Sequence, residues 1–325
     1  MSALIALLDF AGFVALLLWG VHMVQTGVQR AFGAALGATL SRALGTRMRA
    51  FAAGLGITAA LQSSTATGLM IAGFAAGGVV GLVPALAAML GANVGTTLIV
   101  QLLSFDLTAL SPILILVGVW LFRRYPPGRP RDLGRVAIGL GLLLLSLHQI
   151  VELFEPLQSA PMLGVVLQAL ATQPFAAVLL AAAITWAAHS SVAVVVLIMS
   201  LAEHGLVGAP VAFAMVLGAN LGTAINPFTE GVRGDDPASR RLPLGNLLTR
   251  VAGVLVGVML LPWIAPAMTE MAADASRAVA NFHTVFNVLI ALVFMPLLTP
   301  YAALLTRWLP KRIDPNDPGI PQYLD

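Results

Sequence analysis

Two short polar runs interrupt apolar stretches of this chain. Gln62, Ser63, Ser64, Thr65 and Thr67 lie within "ITAALQSSTATGLMIAG", and His189, Ser190 and Ser191 within "ITWAAHSSVAVVVLIMS". Further on, "GANVGTT" contributes Asn93, Thr96 and Thr97, and "GANLGTA" contributes Asn220 and Thr223. Hydroxyls and amides offer neutral oxygens and a few donors, and none titrates near neutral pH. Such oxygens suit a hard monovalent cation. If the backbone breaks at these runs, the half-helix N-termini add free N–H groups and partial positive charge, which suit an anion.

Ser190 and Ser191 beside His189 raise the question of a hydrolase. Adjacent residues cannot readily present base and nucleophile to one another, and a doubled Ser-Ser pair has no catalytic rationale. No enzyme is expected. His22, His148 and His283 have no metal-ligand partner at helical spacing and read as satisfied structural histidines. Asn93 and Asn220 read as caps or bridges of broken backbone, and Arg250 as an interfacial anchor. Thr58 and Thr185, one helical turn before the motifs, fit either a site hydroxyl or a bond to the preceding turn.

The elements that position these groups are duplicated. The first motif pair is separated by 184 − 57 = 127 residues and the second by 218 − 91 = 127, with no gap between them. Alanine and leucine bias makes apolar helices resemble one another, but it does not reproduce Ser-Ser and Gly-Ala-Asn-x-Gly-Thr at a fixed separation.

With 59% hydrophobic and 10% charged residues and a mean hydropathy of +0.93, the natural solvent is lipid. The arginines sit between apolar runs and are not interleaved with aromatics, which argues against nucleic acid. The chain has no cysteine, so thiol chemistry and disulfides are excluded. Spans are expected near 3–25, 79–104, 107–123, 133–151, 206–229, 246–264 and 283–307, the first retained and not cleaved. The 30–49 loop holds Arg30, Arg42, Arg47 and Arg49, whereas the equivalent 152–174 loop holds Glu152 and Glu155 and no base. The 105–109 loop likewise carries only Asp106, whereas its counterpart near 232–243 carries Arg233, Arg240 and Arg241 beside two aspartates. Equivalent loops then favour opposite sides of the membrane, which makes the halves inverted repeats.

The expected fold is an all-α polytopic membrane protein with two inverted-topology repeats. Repeat 1 covers 1–125 with a re-entrant helical hairpin at about 51–77, and repeat 2 covers 130–265 with its hairpin at about 175–202. An extra C-terminal span at 280–308 and a cytoplasmic tail at 309–325 follow. The N-terminus is expected outside and the C-terminus inside a cell (inner) membrane. Neither motif core holds an acid, so a cation there has no fixed counter-charge; an anion travelling with it would neutralise both.

The stretch from "LLLWGVHMVQTG" through "QSSTATGLMIAGF" to "GANVGTT", its second copy "HSSVAVVVLIMS" with "GANLGTA", and "NFHTVFN" at 281–287 resemble the type II sodium/phosphate cotransporter family. That family carries a Gln-Ser-Ser-Ser motif in each half. The resemblance covers roughly residues 10–300 and implies paired motifs on inverted re-entrant segments that form sodium and phosphate sites. By position, Gln62, Ser63, Ser64 and Thr65 match the first motif, with Thr65 for its last serine; in the second, His189 replaces Gln and Val192 the last Ser. The resemblance implies Gln62, Ser64, Thr65 and Ser191 as sodium ligands, and inorganic phosphate, sodium ions and the bilayer as partners, with no cofactor beyond the coupling ion. It admits a homodimer. A proton-coupled or exporting oxyanion transporter stays open, as does a channel-like or regulatory membrane protein.

Overall fold

The computed structural model describes residues 3–43, 45–76, 79–105, 108–154, 170, 172–230 and 236–311, and among them every element is helical. The helices are α1 (Ala3–Ala43), α2 (Arg47–Leu61), α3 (Ser64–Ala76), α4 (Leu82–Leu103), α5 (Ser111–Arg124) and α6 (Arg129–Phe154). They continue with α7 (Pro174–Ala188), α8 (Ser191–Glu203), α9 (Ala209–Glu230), α10 (Arg241–Glu270) and α11 (Ala275–Trp308). Within the described residues, six helices are long and apolar enough to cross a membrane: α1, α4, α6, α9, α10 and α11. The chain is a multi-pass membrane protein.

The duplication is visible in the elements. Helices α2, α3 and α4 recur as α7, α8 and α9 with both ends displaced equally: 174 − 47, 191 − 64 and 209 − 82 are each 127, as are 188 − 61, 203 − 76 and 230 − 103. α4 packs on α2 and α9 on α7, with α1 and α6 against each other. In α4 and α9, 83% of the apolar window is buried, against 28% in α10 and α11. The Gly-Ala-Asn helices therefore form the core, and α10 and α11 turn Val256, Met259, Trp263, Leu292 and Val293 outward as lipid-facing surface. Interior prolines at 227, 262, 266, 296 and 300 lie in these long helices, as membrane helices tolerate.

Three sequence expectations change. The first span does not end near residue 25: α1 runs to Ala43, and the supposed 30–49 loop is helix on both sides of residues 44–46. An alanine-rich segment continues a helix beyond the point where its hydrophobicity falls; Arg30 marks a change of surroundings and not a helix end. The expected span at 107–123 is a 3₁₀ turn, Thr108–Leu110, followed by the 14-residue α5. At 1.5 Å per residue that helix is about 21 Å long, short of an apolar layer of about 30 Å. Residues 155–169 and 171 of the proposed external loop, Asp106, Arg233 and the tail beyond 311 lie outside the described residues.

Candidate functional site

Each Ser-Ser motif sits at a break between two short helices. Gln62 ends α2 with φ 53° and ψ 27°, and His189 ends α7 with φ 52° and ψ 22°. These are the only non-glycine residues with positive φ among those described. The left-handed conformation costs a side-chain-bearing residue roughly 1–2 kcal/mol, and finding it at both positions separated by 127 residues marks the breaks as built features. The next residue restarts the helix. Ser63 Oγ accepts from the Ala66 N–H (3.1 Å), and Ser190 Oγ accepts from the Ala193 N–H (3.2 Å). The first serine of each pair is thus an N-cap.

The second serine has a different position. Ser64 and Ser191 are buried, and among the described residues neither hydroxyl has a hydrogen-bond partner. They lie at the first turns of α3 and α8, where backbone N–H groups have no intrahelical acceptor. Both first turns line one cavity, with Ser63, Ser64 and Thr65 from the first break, Ser190, Ser191 and Val192 from the second, and Thr96 and Thr223 alongside. Two helix N-termini therefore converge, each with free N–H groups and about half a positive charge. The centre of a water molecule can move in only about 10 Å³ there. That space accommodates about one water, so a tetrahedral oxyanion enters only if the helices part.

Other predicted residues fall into separate roles. Thr96 and Thr223 line the cavity, and their hydroxyls donate to the Asn93 carbonyl (2.7 Å) and the Ala219 carbonyl (3.1 Å). Thr97 is fully buried and donates to the Val94 carbonyl (2.8 Å), away from the cavity lining. Thr67 donates to the Ser63 carbonyl and accepts from Thr58 Oγ1 (2.9 Å), which braces the first break. Its counterpart, 67 + 127 = 194, is Val194, so buried Thr185 has no such partner. Asn93 and Asn220 cap nothing, contrary to expectation: α4 and α9 run unbroken through them. Asn93 Nδ2 donates to Asn246 Oδ1 (2.9 Å), and Asn220 Oδ1 accepts from Asn287 Nδ2 (3.0 Å).

The charges differ most from the sequence expectation. His189 Nδ1 lies 3.0 Å from Glu230 Oε1, so the second break does have an acid beside it, delivered by the far end of α9. The first half has neither partner, since 189 − 127 is Gln62 and 230 − 127 is Leu103. Arg250 is no interfacial anchor: it is 3% exposed in the interior, and its Nη2 donates to Asn287 Oδ1 (2.7 Å). His283 is fully buried with both ring nitrogens unpartnered, so it is not a satisfied histidine. Distance in sequence hid these contacts, because each joins helices that a local reading treats separately.

Gln25 was missed altogether. It lines the cavity from α1 and its Nε2 donates to the Gln62 carbonyl (3.3 Å). Its counterpart, 25 + 127 = 152, is Glu152, so repeat comparison does not flag it. Gln25, His189 and Ser190 also line a second cavity of about 440 Å³ with Trp19 and His22. The two cavities share Gln25, His189 and Ser190 as lining residues.

Comparison with known proteins gives a consistent picture. The Na+/Pi-cotransporter family profile matches residues 16–152 and 157–295. The "Putative inorganic phosphate export protein YjbB" of Salmonella typhimurium is 39% identical over 324 residues, 99% of this chain and 58% of that protein. Its namesake in Escherichia coli is 39% identical over 92% of this chain and 55% of its own length. "Uncharacterized protein YqeW" of Bacillus subtilis is 26% identical over 95% of this chain and 100% of its own. The chain thus spans little more than half the length of the YjbB proteins. No solved structure matches it significantly.

Proposed function

This chain belongs to the Na+/Pi-cotransporter family, a family of transporters and not of enzymes, and from that premise we propose that it is a secondary active transporter coupling sodium to inorganic phosphate by alternating access. The observation that carries the reading is the convergence of two helix N-termini and two serine hydroxyls, unpartnered among the described residues, on one small cavity. Backbone N–H groups at helix starts receive an oxyanion. Carbonyls freed at the breaks, with Gln62, Ser64, Thr65 and Ser191 as side-chain ligands, receive sodium. A cavity this small, against the wide space beside Gln25 and His189, suits a mechanism in which the two halves separate to admit cargo and close to carry it.

In proteoliposomes, an inward sodium gradient is expected to accumulate labelled phosphate above equilibrium, and replacement of sodium by potassium to abolish accumulation. Export is the second reading, favoured by the name that the YjbB relatives carry. It predicts drainage of phosphate-loaded vesicles and no sodium-driven accumulation.

The proposed topology places the two hairpins as inverted, re-entrant segments at the repeat interface, with a cytoplasmic C-terminus in the inner membrane. The opposite charge of equivalent connections supports it. The chain has no cysteine, so single cysteines at Ala35, exposed on α1, and at Gln158 give a clean assay. An impermeant thiol reagent on intact cells is expected to label Gln158→Cys and to reach Ala35→Cys only after permeabilisation. Labelling of both from one side overturns the inverted arrangement.

A further inference from the structure

The interior between α9, α10 and α11 holds a cation that the serine cavity does not use. Arg250 is 3% exposed, and no carboxylate among the described residues pairs with it. Nη2 donates to Asn287 Oδ1, Nη1 has no protein partner, and the guanidinium lies 5.8 Å from the centre of the Phe286 ring. Cation–π attraction and one amide oxygen replace little of the hydration that a buried guanidinium gives up. A buried charge is ordinarily paired, and within a membrane an unpaired one points to function.

The two halves converge on this cation. Asn93 and Asn220 occupy equivalent positions, since 93 + 127 = 220. Asn93 holds Asn246, one turn before Arg250 on α10; Asn220 is held by Asn287, the residue that Arg250 grips. Asn287 Nδ2 also donates to the His283 carbonyl (2.8 Å), which fixes its oxygen toward the guanidinium. Thr223, on the cavity wall, follows Asn220 by one turn of α9. The duplicated Gly-Ala-Asn helices, which carry Thr96 and Thr223 to the cavity, are thus joined by hydrogen bonds to the segments of α10 and α11 that hold this one positive charge.

We propose that Arg250 is the fixed counter-charge of the oxyanion site: a positioning residue that touches no cargo in this conformation but sets the affinity for an anion through its charge. The proposal rests on the phosphate reading above. It explains why a protein that closes over an anion keeps a guanidinium in its apolar interior without a carboxylate. It also assigns Asn93, Asn220, Asn246 and Asn287 a purpose that neither capping nor cargo contact supplies.

The test compares Arg250→Lys, which keeps the charge, with Arg250→Gln, which removes it, in the full chain in detergent micelles. Binding of inorganic phosphate is measured calorimetrically in sodium buffer, with melting temperature recorded beside it. Arg250→Gln is expected to weaken binding about tenfold or more, equivalent to about 1.4 kcal/mol, and Arg250→Lys to stay within about threefold of wild type. Asn287→Asp is a second probe, because it places a carboxylate on the guanidinium and neutralises it with Arg250 still present. It is expected to weaken phosphate as Arg250→Gln does. Unchanged phosphate affinity in Arg250→Gln overturns the proposal. Equal losses in the Lys and Gln variants also overturn it, since geometry and not charge would then matter. Wild-type protein that ignores phosphate overturns instead the functional reading beneath it.

Discussion

Alanine in place of Ser64 or Ser191 is expected to remove most sodium-driven phosphate uptake while the protein melts as wild type does. Alanine in place of Ser63 or Ser190 is expected to lower the melting temperature. The four positions look interchangeable in the sequence, yet the structure divides them. Ser63 and Ser190 each hold one free N–H of the first turn of α3 and α8, that of Ala66 and of Ala193. Loss of such a cap costs about 1 kcal/mol, or about 1–2 °C in a chain of this size. Ser64 and Ser191 hold nothing among the described residues, so their removal breaks no bond there. If they bond a charged cargo, each bond contributes about 1.5–3 kcal/mol, which is about 10- to 100-fold in apparent affinity. Uptake and melting measured on the same four variants decide the matter. Transport near wild type in both Ser64→Ala and Ser191→Ala would leave the second serines as mere packing residues and sink the assignment.

The sequence made the duplication legible because polar residues in a lipid-soluble chain are expensive and their spacing is therefore informative. Both breaks and the pairing of each with a Gly-Ala-Asn helix follow from that spacing, and α2–α4 and α7–α9 match it residue for residue. Two kinds of feature escaped. Groups present in one half only, such as Gln25 and Glu230, have no second copy to draw attention to them. Roles fixed by hydrogen-bond direction escaped as well: a cap and a free hydroxyl are both serine in the sequence, and only the backbone N–H at 3.1 Å separates Ser63 from Ser64. The length of α1 was misjudged for a simpler reason, since hydropathy reports surroundings and the backbone of an alanine-rich segment stays helical in either.

Gly91→Ala and Gly218→Ala are expected to be among the most disruptive single-methyl changes to the architecture of the site. A Cβ at Gly91 would stand 1.9 Å from the Phe51 carbonyl oxygen, and one at Gly218 would stand 2.1 Å from the Val178 carbonyl oxygen. The obstructing atoms are backbone, so no rotamer change relieves the clash; α4 must retreat from α2, or α9 from α7. Contacts one turn on are also tight, with an added Cβ 2.4 Å from the Leu55 carbonyl oxygen at Gly95 and 2.4 Å from the Ala182 carbonyl oxygen at Gly222, so the retreat forfeits packing along both helices. Helix pairs in lipid depend on such close approach through small residues. Overpacking of a tight core costs about 1–3 kcal/mol and sometimes more, and here it falls at the upper end. That corresponds to a fall of about 4 °C in melting temperature. Function suffers further, because α4 carries Thr96 and α9 carries Thr223 to the cavity wall, and a shift of either helix draws its hydroxyl away from the serines opposite. Gly56, exposed on α2 with nothing within 4 Å of an added Cβ, is the control; alanine there is expected to match or slightly exceed wild type. Melting curves of the three purified variants test this directly. Wild-type melting in Gly91→Ala would mean that α2 and α4 are not in backbone contact, and with that the duplicated frame that aims the two serine motifs at one another would fall.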